Sequence, residues 1–212
     1  MNNENRKIIF LFPLLIYLIS ALVGCTSSQE RRILVVHSYE ETYTAYPEFN
    51  RLIAKQFKKE GVNADIRTLY LDCESYKEET ELKRMRYLLD SVSGDWRPEV
   101  ILVNEDQATY SLLKCGDPLV KEVPVVFAGV NYPNWELLKQ YPNATGFHDK
   151  IGFVQNAEMA RKLFGDSVRL FTLLDSTFLD VQIRKDARKQ LAGHRVTGFM
   201  DYPDIPSVEQ YR

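Results

Sequence analysis

Short apolar runs alternate along the chain with stretches whose apolar residues recur at helical spacing. Four runs predict β-strands, at residues 33–36, 100–103, 123–127 and 168–174. Most of them are apolar almost throughout, which is typical of parallel strands covered on both faces. Residues 65–71 alternate more strongly between apolar and polar positions, so we expect this strand nearer an edge of the sheet.

Four amphipathic stripes predict helices between these strands. Their apolar positions are Phe49, Leu52, Ile53 and Phe57; Leu82, Met85, Leu89 and Val92; Phe153, Ala157, Ala160 and Phe164; and Leu179, Ile183, Ala187 and Leu191. Each stripe ends near a glycine, a common helix stop, and each is expected to face the core. The alternation of strand and helix predicts an α/β fold with a doubly wound parallel sheet.

The same alternation divides the chain into two lobes. Residues 31–150 supply about five strand–helix steps, enough for a complete first α/β lobe. Residues 151–212 supply only the start of a second lobe, with a further strand expected at 195–199. Because half a lobe would leave a sheet edge uncovered, we expect the chain to be a fragment or a truncated product.

The N-terminal segment indicates where the protein works. Arg6 and Lys7 precede an apolar run at 8–23, and Leu-Val-Gly-Cys ending at Cys25 resembles a bacterial lipobox. Residues 1–25 are therefore interpreted as a lipoprotein signal peptide, with Cys25 lipidated and the protein anchored to a membrane. An uncleaved transmembrane anchor is the alternative, since the run is slightly shorter than a usual span. Either interpretation places residues 26–212 outside the cytoplasm, in the periplasm or cell envelope.

Charge and cysteine content narrow the possibilities further. The chain carries 27 basic and 29 acidic residues, a formal net charge of −2, which argues against nucleic-acid binding. Cys73 and Cys115 remain after Cys25. In an exported protein these two could form a disulfide or remain as buried free thiols, and the spacing does not decide between them.

Polar residues follow several predicted strands at the points where ligands bind in open parallel sheets. These clusters are 37–46 (HSYEETYTAY), 104–107 (NEDQ), 128–132 (AGVNY) and 175–177 (DST). Hydroxyls, amides and free backbone N–H groups suit a polar solute, and tyrosines offer flat walls to its apolar part. Each residue also has a simpler explanation, as a helix cap at Ser38, Thr44 or Asp106 or as a turn at Gly129.

Three segments carry a family resemblance. Residues 33–39 (ILVVHSY), 104–113 (NEDQATYSLL) and 124–131 (PVVFAGVN) resemble the ABC-transporter substrate-binding protein family, in particular its branch with tryptophan- and tyrosine-binding proteins. Similar domains occur as extracytoplasmic input modules of sensor histidine kinases, and the His-Ser-Tyr opening is more like that subgroup. The resemblance implies a type I periplasmic-binding-protein-like architecture, in which two lobes close on a small solute.

Carried over by position, the resemblance implies a ligand-binding set on both lobes. Its members are His37, Ser38, Tyr39, Asn104, Glu105, Asp106, Gly129 and Asn131 on the first lobe, with Asp175 and Ser176 on the second. Glu105 and Asp106 are acidic where a ligand carboxylate would need a donor, so the class of the small organic solute stays open.

The resemblance implies a lipoprotein that binds solute for an ABC-type transport system and passes it to an inner-membrane permease. The alternative is a ligand-sensing input domain of a two-component sensor kinase, and a third possibility is an interaction protein without a small ligand. We expect no enzyme, metal or cofactor. The sequence has no Gly-x-Ser-x-Gly elbow, Walker loop or metal-type histidine spacing.

Overall fold

A computed structural model describes residues 29–168, 174 and 178–192 of the chain. The strands are β1 (Arg31–His37), β2 (Ala64–Tyr70), β3 (Val100–Asn104), β4 (Val125–Val130) and β5 (Ala144–His148). The helices are α1 (Tyr46–Lys59), α2 (Glu78–Ser93), α3 (Asp106–Lys114), α4 (Leu119–Glu122), α5 (Trp135–Leu138), α6 (Phe153–Phe164) and α7 (Phe178–Leu191). Within these ranges, no helix combines the length and apolar character needed to cross a membrane.

The described strands form one five-stranded sheet in the order β2-β1-β3-β4-β5, with every neighbouring pair parallel. The chain moves from β1 outward to β2 and then back across to β3, so the direction of winding reverses between β1 and β3. Since parallel crossovers are right-handed, this reversal places α1 on one face of the sheet, and α2 and α3, which lead to β3 and β4, on the other. The doubly wound parallel sheet predicted from the sequence is confirmed, and β2 is an edge strand as expected.

The core lies on the central strands. Ile33, Leu34, Val35 and Val36 of β1 are at most 2% exposed, because helices cover both faces of this strand. Met85 and Leu89, from the apolar stripe of α2, belong to the same core and are fully buried. Burial of side chains of this size stabilises the fold by roughly 1.5–3 kcal/mol each.

Several elements differ from the prediction. The structure adds β5 and the short helices α4 and α5, and it begins α3 directly at Asp106. The strands expected at 168–174 and 195–199 lie outside the described residues, apart from the two positions 168 and 174.

The predicted stripes face the core only in part. In α1, Phe49 is 37% and Leu52 is 47% exposed, and in α6 Phe164 is 72% exposed. The expectation that every stripe residue is core is therefore wrong for these three. Helices α6 and α7 pack against each other. Whether a second lobe begins at 151 stays a prediction.

The two described cysteines are free thiols: Cys73 begins a short 3₁₀ turn at Cys73–Ser75, and Cys115 follows α3. Both are buried, and burial raises the pKa of each thiol. Of the two alternatives, the structure shows the buried thiols rather than the disulfide.

Candidate functional site

The reversal of winding brings the carboxyl ends of β1 and β3 side by side. His37 ends β1 and Asn104 ends β3, and Ile33 to Val36 pair in register with Val100 to Val103. The carboxyl end of a parallel sheet at such a reversal is where open α/β folds leave a crevice. The polar residues that the sequence places after these strands therefore meet at one edge of the sheet.

His37 lies beneath this edge and is fully buried. The side-chain amide of Asn104 donates to its Nδ1 at 2.9 Å, and its Nε2 donates to Oδ1 of Asn50 at 2.8 Å. The Tyr46 ring stacks on the imidazole with centroids 3.8 Å apart. Burial lowers the pKa of His37, although the Asn50 hydrogen bond opposes the shift. With both nitrogens occupied, the neutral ring positions Asn104 and Tyr46.

Ser38 connects the end of β1 to the start of α3. Its buried hydroxyl donates to the carbonyl oxygen of Asn104 at 2.9 Å and accepts from the backbone N–H of Ala108 at 2.9 Å. The serine thus satisfies two backbone groups where strand and helix meet. In this structure its role is structural.

Asp106, also fully buried, holds the loop after β4 in place. Its Oδ2 accepts from the backbone N–H of Asn131 at 2.8 Å and from the Asn131 side-chain amide at 3.3 Å. Its Oδ1 accepts from the backbone N–H of Tyr132 at 2.9 Å. Because both carboxylate oxygens accept hydrogen bonds from this loop, Asp106 fixes the loop to the start of α3.

Glu105 has an unusual backbone conformation, with φ 72° and ψ 170°. This region is populated essentially by glycine and costs another residue roughly 1–3 kcal/mol. The Glu105 N–H donates to the carbonyl of Ala128 at 2.8 Å, and Oε2 accepts from the Tyr46 hydroxyl at 2.8 Å. Burial raises the pKa of the Glu105 carboxyl, and the hydrogen bond from Tyr46 counters that shift in part.

A small cavity of about 160 Å³ opens above these residues. It is lined by Ala45, Tyr46, Phe49, Asn104, Glu105, Ala128 and Gly129. At about 30 Å³ for each water in the liquid, the space would hold a chemical head group of a few heavy atoms. Tyr46 belongs to the polar cluster predicted at 37–46 but not to the ligand-binding set, and Phe49 is predicted only as a core residue. Helix α1 carries both to the cavity wall.

A larger open groove of about 630 Å³ lies further along the same edge. Its lining combines residues after β4 and β5 with α7: Asn131, Tyr132, Pro133, Trp135, His148, Asp149, Lys150, Ile151, Gln182, Lys185, Asp186 and Lys189. Trp135 and His148 meet edge to face with centroids 5.5 Å apart. Lysines and aspartates both line this groove, so its charge is mixed.

The predicted set is thus divided by the structure. Asn104, Glu105 and Gly129 line the small cavity, Asn131 lines the groove, and Tyr39 packs against Tyr43 with ring centroids 4.8 Å apart. His37, Ser38 and Asp106 support them from below. Asp175, Ser176 and Cys25 lie outside the described residues. Among the residues that are described, no group of three or more His, Cys, Asp or Glu side chains could hold a metal ion.

No protein-family profile and no curated protein matches the sequence. Solved structures do match. A conserved domain protein from Vibrio cholerae O1 biovar El Tor str. N16961 aligns with TM-score 0.64 at 15% identity, over 82% of this chain and 57% of that one. An ABC domain in complex with L-Trp from Streptococcus pneumonia aligns with TM-score 0.61 at 16% identity, over 84% and 58%.

A third match is the ligand-free, open structure of a substrate binding protein with adhesive properties from Clostridium difficile. It has TM-score 0.53 at 13% identity, over 85% of this chain and 60% of that one. The chain therefore spans less than two thirds of the length of each of these proteins. At such identities the likeness establishes the fold. The chain has a periplasmic-binding-protein-like α/β fold, as the sequence resemblance predicted.

Proposed function

We propose that the chain is the solute-binding part of an extracytoplasmic lipoprotein that serves an ABC-type transport system. The observation that carries this proposal is the small cavity at the β1–β3 reversal, where a buried polar network holds Asn104 and Glu105 at the cavity wall. Two of the matched structures are a substrate binding protein and a complex with L-Trp, which supports a binding role on this fold.

The contacts of the polar residues favour binding over catalysis. The Ser38 hydroxyl is engaged by Asn104 and Ala108, and neither nitrogen of His37 contacts it. A serine nucleophile needs a base within hydrogen-bond reach, and this arrangement does not supply one. The network instead fixes the cavity wall in one geometry, which lowers the entropic cost of holding a ligand.

In the proposed mechanism, solute binds first to the cavity wall of the first lobe. Asp175 and Ser176 are proposed to contact it from the second lobe, and closure is favoured because the closed form makes both sets of contacts. The head group would occupy the small cavity, and the rest of the solute would extend into the space between the lobes.

Solute binding is tested by thermal denaturation of the full chain in the presence of amino acids, small peptides and sugars. A ligand that binds only the folded state stabilises that state and so raises the thermal midpoint. At a ligand concentration of one hundred times Kd, the stabilisation is about 2.7 kcal/mol. Asn104→Ala should abolish the shift for that solute. The matched control is Asn63→Ala, a substitution at the far end of the sheet, before β2. A panel without a single stabilising solute would contradict the proposal.

The lipid anchor and the transport role need separate tests in cells. Radioactive palmitate should label the wild-type protein, whereas Cys25→Ser should lose the label and leave the membrane fraction. Deletion of the gene should abolish uptake of the stabilising solute. Normal uptake together with loss of a solute-dependent transcriptional response would favour the sensor alternative, which the His-Ser-Tyr segment at 37–39 suggests.

A further inference from the structure

We infer that the solute group entering the small cavity is a protonated amine, bound by the Glu105 carboxylate against the rings of Tyr46 and Phe49. This inference rests on the proposed function, because it names the chemistry that the same cavity would select. A ligand carboxylate at this position is excluded by the same geometry.

The charge of the cavity wall is the first argument. Glu105 is the one ionisable carboxylic acid among the lining residues, and the lining contains no lysine, arginine or histidine. Within the described part of the chain, none of the ion pairs involves Glu105. The adjacent Asp106 adds further negative potential. A half-buried carboxylate without a cationic partner favours a ligand that brings the positive charge.

The placement of the carboxylate is the second argument. The Tyr46 hydroxyl donates to Oε2 at 2.8 Å and so fixes the direction of the carboxylate. Gly129 lies on the other side, where a Cβ would be 3.5 Å from Cγ of Glu105. The side chain is therefore held between a tyrosine and a glycine at the cavity wall, with its position set before any ligand arrives.

The backbone of Glu105 is the third argument. Glycine would adopt φ 72° without strain, yet the chain keeps a glutamate there. Strain of this kind persists where the surrounding structure enforces it and is concentrated at ligand sites. The hydrogen bond from the Glu105 N–H to Ala128 holds the residue in this conformation. The strained position is the one that carries the carboxylate.

Aromatic side chains supply the rest of the recognition. Tyr46 and Phe49 line the cavity, and Tyr43 lies beside Tyr46 with centroids 4.9 Å apart. The faces of such rings attract cations, and this attraction strengthens where water is excluded. An anionic group would meet the Glu105 carboxylate, so the site discriminates by repulsion as well as by attraction.

Matched solutes test the inference in the full chain. Each amino acid is compared with its decarboxylated amine, which lacks the carboxylate, and with its N-acetyl derivative, which lacks the ammonium group. We expect binding, measured by titration calorimetry, to survive decarboxylation and to weaken about tenfold or more on N-acetylation. Equal binding of a parent amino acid and its N-acetyl derivative would overturn the inference.

A pair of variants locates the effect. Glu105→Gln keeps the shape and removes the charge, and it should weaken amine binding about tenfold or more. Glu41→Gln removes an exposed carboxylate in the loop after β1 and should leave binding unchanged. Circular dichroism and the thermal midpoint confirm that each variant folds.

The outcomes separate this inference from the proposed function. If solutes bind equally well to wild type and to Glu105→Gln, the inference of a protonated amine is overturned, whereas the solute-binding role is kept. The inference of an amine is also overturned, and the solute-binding role kept, if carboxylates bind Glu105→Gln more tightly than wild type and no amine binds wild type. If no solute in the panel binds the wild-type chain, both the inference and the solute-binding role are contradicted.

Discussion

The side-chain amide of Asn104 donates a 2.9 Å hydrogen bond to Nδ1 of His37 and thereby joins the carboxyl ends of β3 and β1. Because an amide N–H is a donor only, Nδ1 must accept, and the ring proton must lie on Nε2, where it is donated to Asn50 at 2.8 Å. The fold therefore requires a neutral His37. Protonation would place a second donor against the Asn104 amide in a buried site.

The first prediction is a pH-dependent stability from His37. Burial lowers the pKa of the folded imidazole below the ordinary value of 6.5, so near and below that pH the unfolded chain binds a proton that the folded chain does not. The contribution is complete above 6.5 and is lost as the pH falls toward the lowered folded pKa. Urea denaturation at about pH 8 and about pH 5 should show a larger loss for wild type than for His37→Gln.

Two comparisons make the His37 measurement specific. His148→Gln, at an exposed histidine, should retain the wild-type pH dependence. Burial raises the pKa of Glu105, whose contribution therefore runs in the opposite direction and is lost as the pH rises through its folded pKa. Glu105 is present in both proteins compared, so its effect cancels in the difference. Identical pH dependence of wild type and His37→Gln would show that the histidine tolerates protonation in the fold.

The second prediction concerns Asp106. Replacing it by alanine leaves the half-buried backbone N–H groups of Asn131 and Tyr132 without their acceptor. The expected loss of unfolding free energy is about 2–4 kcal/mol, measured by urea denaturation. Asp90→Ala, at an exposed position on α2, is the control and should change stability by less than about 0.5 kcal/mol. A loss below about 1 kcal/mol for Asp106→Ala would mean that water satisfies these groups.

The third prediction separates strain from chemistry at Glu105. Glycine and alanine both remove the carboxylate and its hydrogen bond to Tyr46, but only glycine relieves the backbone at φ 72°. Glu105→Gly should therefore be more stable than Glu105→Ala by about 1 kcal/mol or more. Both variants should lose amine binding. Equal stability of the two variants in urea would argue against strain at this residue.

The fourth prediction tests the pairing of β4 with β5. A Cβ at Gly146 would be 2.0 Å from the carbonyl oxygen of Phe127 and 2.7 Å from its ring. Gly146→Ala should destabilise the fold by at least about 2 kcal/mol because backbone cannot give way here. Gly94→Ala, where nothing lies within 4 Å of the new Cβ, should be nearly neutral. Similar stability of the two variants would show that Gly146 does not lie against Phe127, which would contradict the pairing of β5 with β4.

The central strands could be predicted because their runs are apolar on both faces, as in β1 and β3. The strand β5 reads Ala-Thr-Gly-Phe-His and lacks such a run, and its burial pattern is largely exposed, so nothing in the local sequence separates it from a loop. Tertiary pairing with β4 alone makes it a strand. The apolar spacing in α1 predicts a core-facing stripe, but spacing reports periodicity and not what covers each residue, so it does not predict the exposure of Phe49 and Leu52.

The polar clusters that the sequence predicts at the strand ends do come together in the structure, but the roles of the individual residues could not be predicted from the sequence. His37, Ser38 and Asp106 carry the polar groups that a ligand site needs, and the fold uses these groups to satisfy its own backbone and side chains. The sequence cannot distinguish a residue that holds other residues in place from one that contacts the ligand when both are polar and adjacent in the chain. The strain at Glu105 is likewise invisible in sequence, since its φ is imposed by the contacts with Ala128 and Tyr46.

The most direct measurement is a ¹⁵N NMR titration of the chain with a solute that raises its thermal midpoint. The account predicts that the largest amide shifts cluster at the small cavity, on Asn104, Glu105 and Gly129, and that Glu105→Gln reduces them. Shifts centred on Trp135 and Lys185 in the larger groove, with the cavity amides unchanged, would contradict the central claim.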